Sequence, residues 1–341
     1  MPGTTPQPQT YLVTGGAGFI GSHLVEALLH RGDRVVVLDN FSSGRRANLA
    51  GVEGHPGLRV VQGSVLDELV VEDLVRQCDV VVHLAAAVGV RLIVEQPLAS
   101  LTTNLRGCEN VVEAAWRHRR TVLLTSSSEI YGKNSTGPLP EDADRILGSP
   151  SVVRWAYSTA KAVDEILLNA YHRERGLPTI IARLFNTVGP RQSAAYGMVI
   201  PRLARQAVTG HPLTVYGTGE QTRCFVHVAD VVDALLRLLA TPAAIGQTVN
   251  IGAADEISIR RLADLVVAAA GSPSPIELVP YHEAYGSGFE DMHRRVPDTR
   301  RLRELTGWSP RHTLHDVLAA AIAEARAEAA APVPQGQLVA S

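Results

Sequence analysis

A tyrosine and a lysine four residues apart, Tyr157 and Lys161, have the side-chain types and the spacing needed to move a proton. In a helix this spacing puts both side chains on one face, one turn apart. A phenol is a poor base at neutral pH because its unperturbed pKa is about 10, and a nearby ammonium group lowers that pKa. The pair therefore predicts a general base for an alcohol or sugar hydroxyl. A packed Tyr and an exposed Lys share this spacing in many helices, so the rest of the chain has to decide.

A glycine-rich turn near the N-terminus predicts a dinucleotide site. The apolar run Tyr11–Thr14 leads into Gly15-Gly16-Ala17-Gly18-Phe19-Ile20-Gly21, and an amphipathic segment and a second apolar run follow. Glycines at this spacing let the backbone approach a pyrophosphate at the N-terminus of a helix. The second run ends at Asp39-Asn40, where an acid accepts hydrogen bonds from the adenosine ribose and repels a 2′-phosphate. This arrangement favours NAD over NADP.

Predicted strands and helices alternate along the first half of the chain, and these elements must position the residues named above. Predicted strands cover 58–61, 79–84, 121–124 and 177–184, and predicted helices cover 66–77, 97–118 and 157–175. Such alternation predicts an α/β fold with a doubly wound parallel sheet, and ligands then bind at the carboxyl ends of its strands. Two of those ends carry small or polar residues, His83-Leu84-Ala85-Ala86 and Ser126-Ser127-Ser128-Glu129. Small residues at 84–86 would let a cofactor lie close over the sheet.

The second half of the chain alternates less regularly. Helices are predicted at 198–209, 229–240 and 262–270, and strands at 213–217, 222–228 and 248–252. We divide the chain into a dinucleotide-binding domain over 11–185, completed by parts of 222–252, and a smaller substrate-binding lobe over 186–330. The segments 1–10 and 331–341 are predicted to be disordered tails.

Bulk composition excludes several classes of function. The 341 residues carry a net charge of -2, so there is no overall attraction to nucleic acid or to a membrane surface. Three scattered cysteines, Cys78, Cys108 and Cys224, predict buried thiols in a reducing compartment, and the cytoplasm is therefore expected. We find neither a signal peptide nor a run long and apolar enough to cross a bilayer. No metal site is predicted, and His83, His211 and His227 are interpreted as structural.

The motifs occur in the order that is typical of one enzyme family. They are Thr14-Gly15-Gly16-Ala17-Gly18-Phe19-Ile20-Gly21, Asp39-Asn40, His83-Leu84-Ala85-Ala86, Ser126-Ser127-Ser128-Glu129-Ile130-Tyr131-Gly132, Tyr157-x-x-x-Lys161 and Phe185-Asn186. Together they resemble the extended short-chain dehydrogenase/reductase family of nucleotide-sugar enzymes, over roughly residues 11–325. The resemblance implies a Rossmann fold, NAD as cofactor, a UDP-sugar substrate and a homodimer formed through the helices that carry Asn104 and Tyr157.

The resemblance also assigns residues to the site. Its implied cofactor contacts are Gly15, Gly18, Phe19, Ile20, Gly21, Asp39, Asn40, Ser64, Val65, Leu84, Ala85, Ala86, Asn104, Tyr157 and Lys161. Its implied substrate contacts are Asn186, Arg191, Val215, Tyr216, Arg223 and Arg295, of which the last two would hold the diphosphate. Ser127 would be the hydroxyl partner of Tyr157, and Lys161 would hold the nicotinamide ribose. The chain departs from many relatives at Ser64, where they have an aspartate.

Three motifs resemble the UDP-glucuronate decarboxylases within this family, especially the bacterial type used in lipid A sugar modification. They are Ser127-Ser128-Glu129, Arg154-Trp155-x-Tyr157-Ser158 and Tyr285-Gly286-x-Gly288-Phe289-x-Asp291, and Arg223-Cys224-Phe225 matches as well. The implied reaction oxidises C4 of the sugar, and the resulting 4-keto acid loses carbon dioxide. Ser128, Glu129 and Arg223 are the candidates for orienting the carboxylate and supplying the C5 proton.

Several alternatives stay open at this point. The product is either UDP-xylose or a released UDP-4-keto-pentose, and Glu129 is either charged or protonated. A 4-epimerase acting on UDP-glucose or UDP-glucuronate is the main alternative, and a non-catalytic NAD-binding sensor is a remote one. Individual residues also have simpler interpretations: Glu129 as a polar cap on a turn, Arg223 as a surface strand residue, and Arg294 with Arg295 as a solvated pair.

Overall fold

Seven parallel strands form the central sheet, in the order β11-β6-β5-β4-β1-β2-β3. The computed structural model describes residues 8–89, 93, 95–194, 198–285 and 290–330. Parts of the predicted tails, 1–7 and 331–341, lie outside the described residues, as do Gly286, Gly288 and Phe289 of the Tyr285 motif. The order runs outward from β1 in both directions, which is the doubly wound arrangement that the sequence predicts.

The strands and helices have the following bounds. The strands are β1 (Thr10–Thr14), β2 (Arg34–Asp39), β3 (Leu58–Gln62), β4 (Val80–His83), β5 (Thr121–Ser127), β6 (Thr179–Leu184), β7 (Thr187–Val188), β8 (Leu213–Tyr216), β9 (Thr222–Arg223), β10 (Val226–His227), β11 (Thr248–Ile251), β12 (Ile257–Ser258), β13 (Ile276–Val279) and β14 (Arg294–Arg295). The helices are α1 (Phe19–His30), α2 (Glu68–Arg76), α3 (Pro97–Arg117), α4 (Ala156–Arg175), α5 (Val199–Val208), α6 (Val228–Leu239), α7 (Ile259–Ala270), α8 (Tyr281–Tyr285), α9 (Arg300–Thr306) and α10 (Leu314–Ala330).

Side-chain alternation along β1 explains why the sheet is covered on both faces. Tyr11 and Val13 pack with α1, α6 and α9 on one face, whereas Leu12 packs with α2, α3 and α4 on the other. Because both faces are buried, the central strands read as nearly continuous apolar runs, as in other parallel sheets. A third apolar cluster, formed by α5, α7, α10 and β8, lies in the C-terminal half of the chain.

The predicted helix that carries Tyr157 is confirmed as α4. One predicted element of the second half is wrong: the segment 222–228 forms two separate two-residue strands, β9 and β10, instead of one strand. They pair with different partners, β9 with β12 and β14 and β10 with β7, so the chain changes neighbours at Cys224 and Phe225. This change of partner places Arg223 in a small sheet beside Arg295 of β14, which pairs with it in register.

Candidate active site

A cleft of about 990 Å³ opens at the carboxyl ends of the central strands. It is lined by the glycine-rich turn, by the ends of β2, β4 and β5, by the start of α4, and by residues of the small sheet around β9. This is the position at which the fold predicts a ligand. Residues predicted to bind the cofactor and residues predicted to bind the substrate both line this one cleft.

The glycine-rich turn packs so closely against neighbouring backbone that Gly15 and Gly21 have no room for a side chain. Gly15 has a φ of +70°, and a Cβ added there would lie 2.8 Å from the backbone nitrogen of Ala85. A Cβ on Gly21 would lie 2.2 Å from the carbonyl oxygen of Gly15. Helix α1 starts immediately after Gly18, and no side chain caps its N-terminus. Its first backbone N–H groups are therefore available to a pyrophosphate, which fits a bound dinucleotide.

Asp39 lies at the end of β2 with its carboxylate on the cleft wall. It is buried and accepts hydrogen bonds from the backbone nitrogens of Ala17 (2.9 Å) and Phe41 (2.8 Å). These two bonds fix the carboxylate beside the glycine-rich turn, and its remaining lone pairs are open to ribose hydroxyls. Asn40 also lines the cleft. The geometry fits the adenosine half of NAD.

The other predicted cofactor residues fall into two groups. Phe19, Ile20, Val65, Leu84, Ala85 and Ala86 line the cleft. Ser64 and Asn104 lie beneath its wall instead: the hydroxyl of Ser64 accepts a hydrogen bond from the backbone of Leu66, and the amide of Asn104 bonds to both backbone groups of Ala87. Asn104 lies on the neighbouring helix α3, and it therefore holds the loop after β4 in place.

Ser127 and Tyr157 line the cleft, whereas Lys161 is buried behind Tyr157 and does not line it. Tyr157 is 7% exposed on the cleft wall, and the hydroxyl of Ser127 is close enough to lower the pKa of its phenol. Lys161 lies one turn further along α4, is 2% exposed, and donates to a carboxylate oxygen of Asp164 at 3.2 Å. The arrangement is that of a hydroxyl-assisted phenol with an ammonium behind it.

The pKa of Tyr157 corrects one expectation. Burial raises the pKa of the phenol, and the ammonium of Lys161 offsets this only in part. The negative charges of Glu129 and Asp164 add to the rise. The lysine therefore moves the pKa in the predicted direction, but in this structure the pKa lies above its ordinary value because the phenol is desolvated.

Glu129 is held between two arginines. One carboxylate oxygen lies 2.5 Å from Arg154, and the other lies 2.6 Å from Arg295. Burial alone would raise the pKa of Glu129, but the charges and hydrogen bonds of the two arginines outweigh it and lower the pKa to about 2. Glu129 is therefore ionised at neutral pH, and its contacts go well beyond those of a turn cap. Arg295 also bonds to the side-chain oxygen of Asn186.

Arg223 belongs to a second ion pair in the same cleft. Its guanidinium lies 3.1 Å from a carboxylate oxygen of Asp291, which also accepts a hydrogen bond from Tyr281 at 3.1 Å. Burial lowers the pKa of Arg223, and Asp291 opposes that effect. Arg223 is thus a buried residue on the cleft wall, and the interpretation as a surface strand residue is wrong.

Two predicted substrate residues are used differently. Val215 is fully buried in the C-terminal apolar cluster, because alternation along β8 points Tyr216 to the cleft and Val215 away from it. The side chain of Val215 therefore packs in the core, and the contact of the Val215-Tyr216 strand with the nucleotide stays a prediction. Arg191 reaches the cleft, but its guanidinium bonds to Glu26 (2.7 Å) and Ser22 (3.2 Å) of α1. It ties the segment after β7 to the helix of the glycine-rich turn.

Four residues of this site were missed or underused by sequence reasoning. They are Arg154, Asp164, Tyr281 and Asp291. Asp164 had a detectable pattern, since it continues the helical spacing of Tyr157 and Lys161 by one more turn. The contact between Arg295 and Glu129 joins residues 166 positions apart, which no local spacing reveals.

No cluster of three or more metal-ligating side chains occurs within the described residues. Nor is any helix in the described part of the chain both long and apolar enough to span a membrane. All three cysteines are free and buried, as predicted.

Residues 11–252 match the model of the NAD dependent epimerase/dehydratase family. The chain belongs to that family. It is an NAD-dependent enzyme with the fold and motif order of the extended short-chain dehydrogenase/reductases, so the predicted family, fold class and cofactor are confirmed.

Individual relatives cover most of the chain. A UDP-N-acetyl-alpha-D-glucosaminuronate decarboxylase of Bacillus cytotoxicus is 41% identical over 300 residues, 88% of this chain and 92% of that protein. UDP-glucuronic acid decarboxylase 1 of Arabidopsis thaliana is 34% identical, with 92% of this chain and 69% of the plant protein aligned. A solved structure of UDP-glucuronic acid 4-epimerase from Bacillus cereus, in complex with UDP-glucuronic acid and NAD, is 28% identical with a TM-score of 0.84 and covers 94% of this chain and 99% of that one.

Proposed function

We propose that this enzyme decarboxylates a UDP-linked uronic acid, UDP-glucuronate, in an NAD-dependent reaction. The observation that carries the proposal is the charged cluster of Glu129, Arg154, Arg223, Asp291 and Arg295 beside Tyr157 and Ser127. Within this cluster three arginines face two carboxylates, which leaves one excess positive charge on the cleft wall. The diphosphate that Arg223 and Arg295 are predicted to hold and the carboxylate of the uronic acid are both anions that would balance this charge.

The first step is the oxidation of C4 of the sugar. NAD, when bound, supplies the acceptor for the hydride that leaves C4. Tyr157, acting as the phenolate, takes the proton of the 4-hydroxyl, and Ser127 hydrogen-bonds to the same oxygen and fixes its position. The product is a 4-keto sugar whose C6 carboxylate is β to a ketone.

The second step breaks the C5–C6 bond. Its electron pair moves toward C4 and forms an enolate, and carbon dioxide leaves. Ser127 and protonated Tyr157 donate hydrogen bonds to the enolate oxygen, which stabilises the developing charge. Ionised Glu129 has no proton to give, so the sequence-based candidate Glu129 is not the C5 donor. A proton derived from solvent is added at C5 and completes the UDP-4-keto-pentose.

Glu129 has a defined part in this proposal because it is ionised. Glu129 forms ion pairs with Arg154 and Arg295, so a substrate carboxylate must bind these arginines together with Glu129 or displace it from them. The proximity of two carboxylates destabilises the bound ground state, and loss of carbon dioxide removes that repulsion. Ser128, buried beside Glu129, and Arg223 complete the wall that would face the carboxylate.

Two observations support a second candidate substrate and an alternative reaction. The relative from Bacillus cytotoxicus is named for an N-acetylated uronate, so UDP-N-acetylglucosaminuronate is the second candidate substrate. The 4-epimerase from Bacillus cereus has the same fold, so epimerisation of UDP-glucose or UDP-glucuronate is the alternative reaction. A charged Glu129 between two arginines favours decarboxylation over epimerisation of a neutral sugar.

The test is to incubate the protein with NAD and either uronate and to weigh the products by mass spectrometry. A mass lower by one carbon dioxide supports decarboxylation, and the pentose and keto forms show whether the ketone is reduced before release. An unchanged mass with a new stereoisomer would replace the proposal with a 4-epimerase. Binding of NAD without turnover of any nucleotide sugar would favour the non-catalytic sensor.

We further propose a homodimer in the cytoplasm. Val163 and Ile166 of α4 and Leu98 and Trp116 of α3 are apolar and exposed on helices that pack against each other. Apolar side chains on adjacent helices are typical of an interface. The free cysteines agree with a reducing compartment. Sedimentation measures the mass, and a value equal to one chain would contradict the dimer.

A further inference from the structure

Three side chains form a stripe along the inner face of α4. Tyr157, Lys161 and Asp164 follow one another at spacings of four and three residues, so they lie one above the next. Lys161 and Asp164 are 2% and 1% exposed, and their charged atoms lie 3.2 Å apart. A buried ion pair thus stands directly behind the phenol of the active site.

Lys161 and Asp164 are the charged pair of this stripe, and titratable groups from several neighbouring elements surround them. The surrounding titratable groups are Cys108 and Glu109 from α3, His83 from β4, Glu129 after β5, Arg154 before α4, and Glu165, which pairs with Arg183 of β6. Burial and the nearby charge of Asp164 raise the pKa of the Cys108 thiol well above its ordinary value, so Cys108 stays neutral. Burial and Lys161 lower the pKa of His83 to about 3, so His83 is neutral as well.

We propose that Asp164 is a positioning residue for the reaction: it anchors Lys161 behind Tyr157 and sets the pH at which the phenol loses its proton. The proposal deepens the function proposed above, because it concerns the same base. Asp164 acts through Lys161 and touches neither substrate nor cofactor.

The sign of the effect follows from electrostatics. A negative charge beside a Tyr–Lys pair makes the first proton harder to remove, whichever of the two groups gives it up. Removing that charge therefore lowers the pH of the first deprotonation. An opposite or like charge at this distance shifts a pKa by about one unit or more.

The decisive variant is Asp164→Asn in the full-length chain, which keeps the shape of the side chain and removes its charge. The phenolate of Tyr157 is titrated by ultraviolet difference absorbance against the same variant carrying Tyr157→Phe, without substrate or cofactor. We expect the titration to move to lower pH by at least about one unit. Asp164→Glu, which restores the charge, is expected to bring it back toward the wild-type pH.

The matched control is Glu165→Gln. Glu165 is the next residue of α4, is buried, and pairs with Arg183 at 2.7 Å instead of with Lys161. Both variants lose a buried carboxylate, so both are expected to unfold at lower temperature, but the control is expected to shift the titration much less. Equal shifts in the two variants would overturn the proposal, because they would reflect general charge loss.

A second variant covers the case in which Asp164→Asn does not fold. Asp164→Ser leaves room for water beside Lys161 and is expected to show the same displacement. A folded variant that titrates at the wild-type pH overturns the proposal, and so does loss of folding in both variants, which would mark Asp164 as purely structural. Because the titration needs no turnover, its result is independent of whether the enzyme is a decarboxylase or an epimerase.

Discussion

At the scale of single residues, Tyr157 is the group on which the chemistry depends. Replacing it with Phe removes the proton acceptor and keeps the ring in its buried place. We expect the rate of hydride transfer to fall by about 10²–10⁴-fold, the usual contribution of a general base. The measurement is the absorbance of reduced nicotinamide after mixing with NAD and UDP-glucuronate, and a rate within a few fold of wild type would contradict the assignment.

The ion pairs of Glu129 predict how stability depends on pH. Its pKa in the folded protein is lowered to about 2, whereas an unfolded glutamate titrates near its ordinary value of 4.5. The stabilising contribution is therefore complete above about pH 4.5 and is lost as the pH falls toward 2. Glu129→Gln lacks this contribution, so its unfolding temperature should fall less steeply than that of the wild type between those two pH values. Parallel thermal melts across the window provide the test.

The residue scale also shows what the sequence can reveal. Tyr157, Lys161 and the glycines of the turn were predictable because their spacing is local and reflects a helix or a tight turn. Asp164 follows from the same helical spacing extended by one turn. By contrast, the arginine pair around Glu129 comes from segments 25 and 166 residues away, so only the folded chain brings it together.

At the scale of elements, the glycine-rich turn and α1 act as one unit. A methyl group on Gly21 would lie 2.2 Å from the carbonyl oxygen of Gly15, so the turn and the helix would have to separate. Gly21→Ala is therefore expected to weaken NAD binding at least tenfold, a cost of about 1.4 kcal/mol. Calorimetric titration with NAD measures this effect.

Gly54→Ala is the matched control for the turn. Gly54 has a positive φ (+78°), so an alanine there is strained, but its Cβ would meet no atom within 4 Å, and the residue does not line the cleft. The substitution carries backbone strain without a clash at the cofactor site. Weakened NAD binding in both variants would show that general destabilisation, and not the geometry of the turn, is responsible.

The same scale explains why one element prediction failed. The segment 222–228 has the composition of one strand, yet the chain exchanges neighbours at Cys224 because β10 joins β7 while β9 joins β14. Pairing partners are a tertiary property, and composition does not specify them. Along β8, alternation predicts that only one of Val215 and Tyr216 faces the ligand, but which one depends on where the apolar cluster lies.

At the scale of the whole molecule, the helices that position the base also carry the exposed apolar surface. Ile166 of α4 is 62% exposed, and it lies on the same helix as Tyr157. If two copies pair through this surface, a charge at its centre must be desolvated without a partner, which costs several kcal/mol per ion. Ile166→Glu is therefore expected to halve the sedimenting mass.

Leu278→Glu distinguishes this interface from any exposed apolar residue. Leu278 of β13 is 52% exposed and lies on a strand that pairs with β8 in the C-terminal half of the chain, so the same substitution there should leave the mass unchanged. Because α4 carries Tyr157, Lys161 and Asp164 on its inner face, loss of the partner should also lower the unfolding temperature and the rate of hydride transfer in Ile166→Glu. A wild-type mass equal to one chain, or equal masses for both variants, would contradict pairing through α3 and α4 and would leave α4 positioned by the sheet alone.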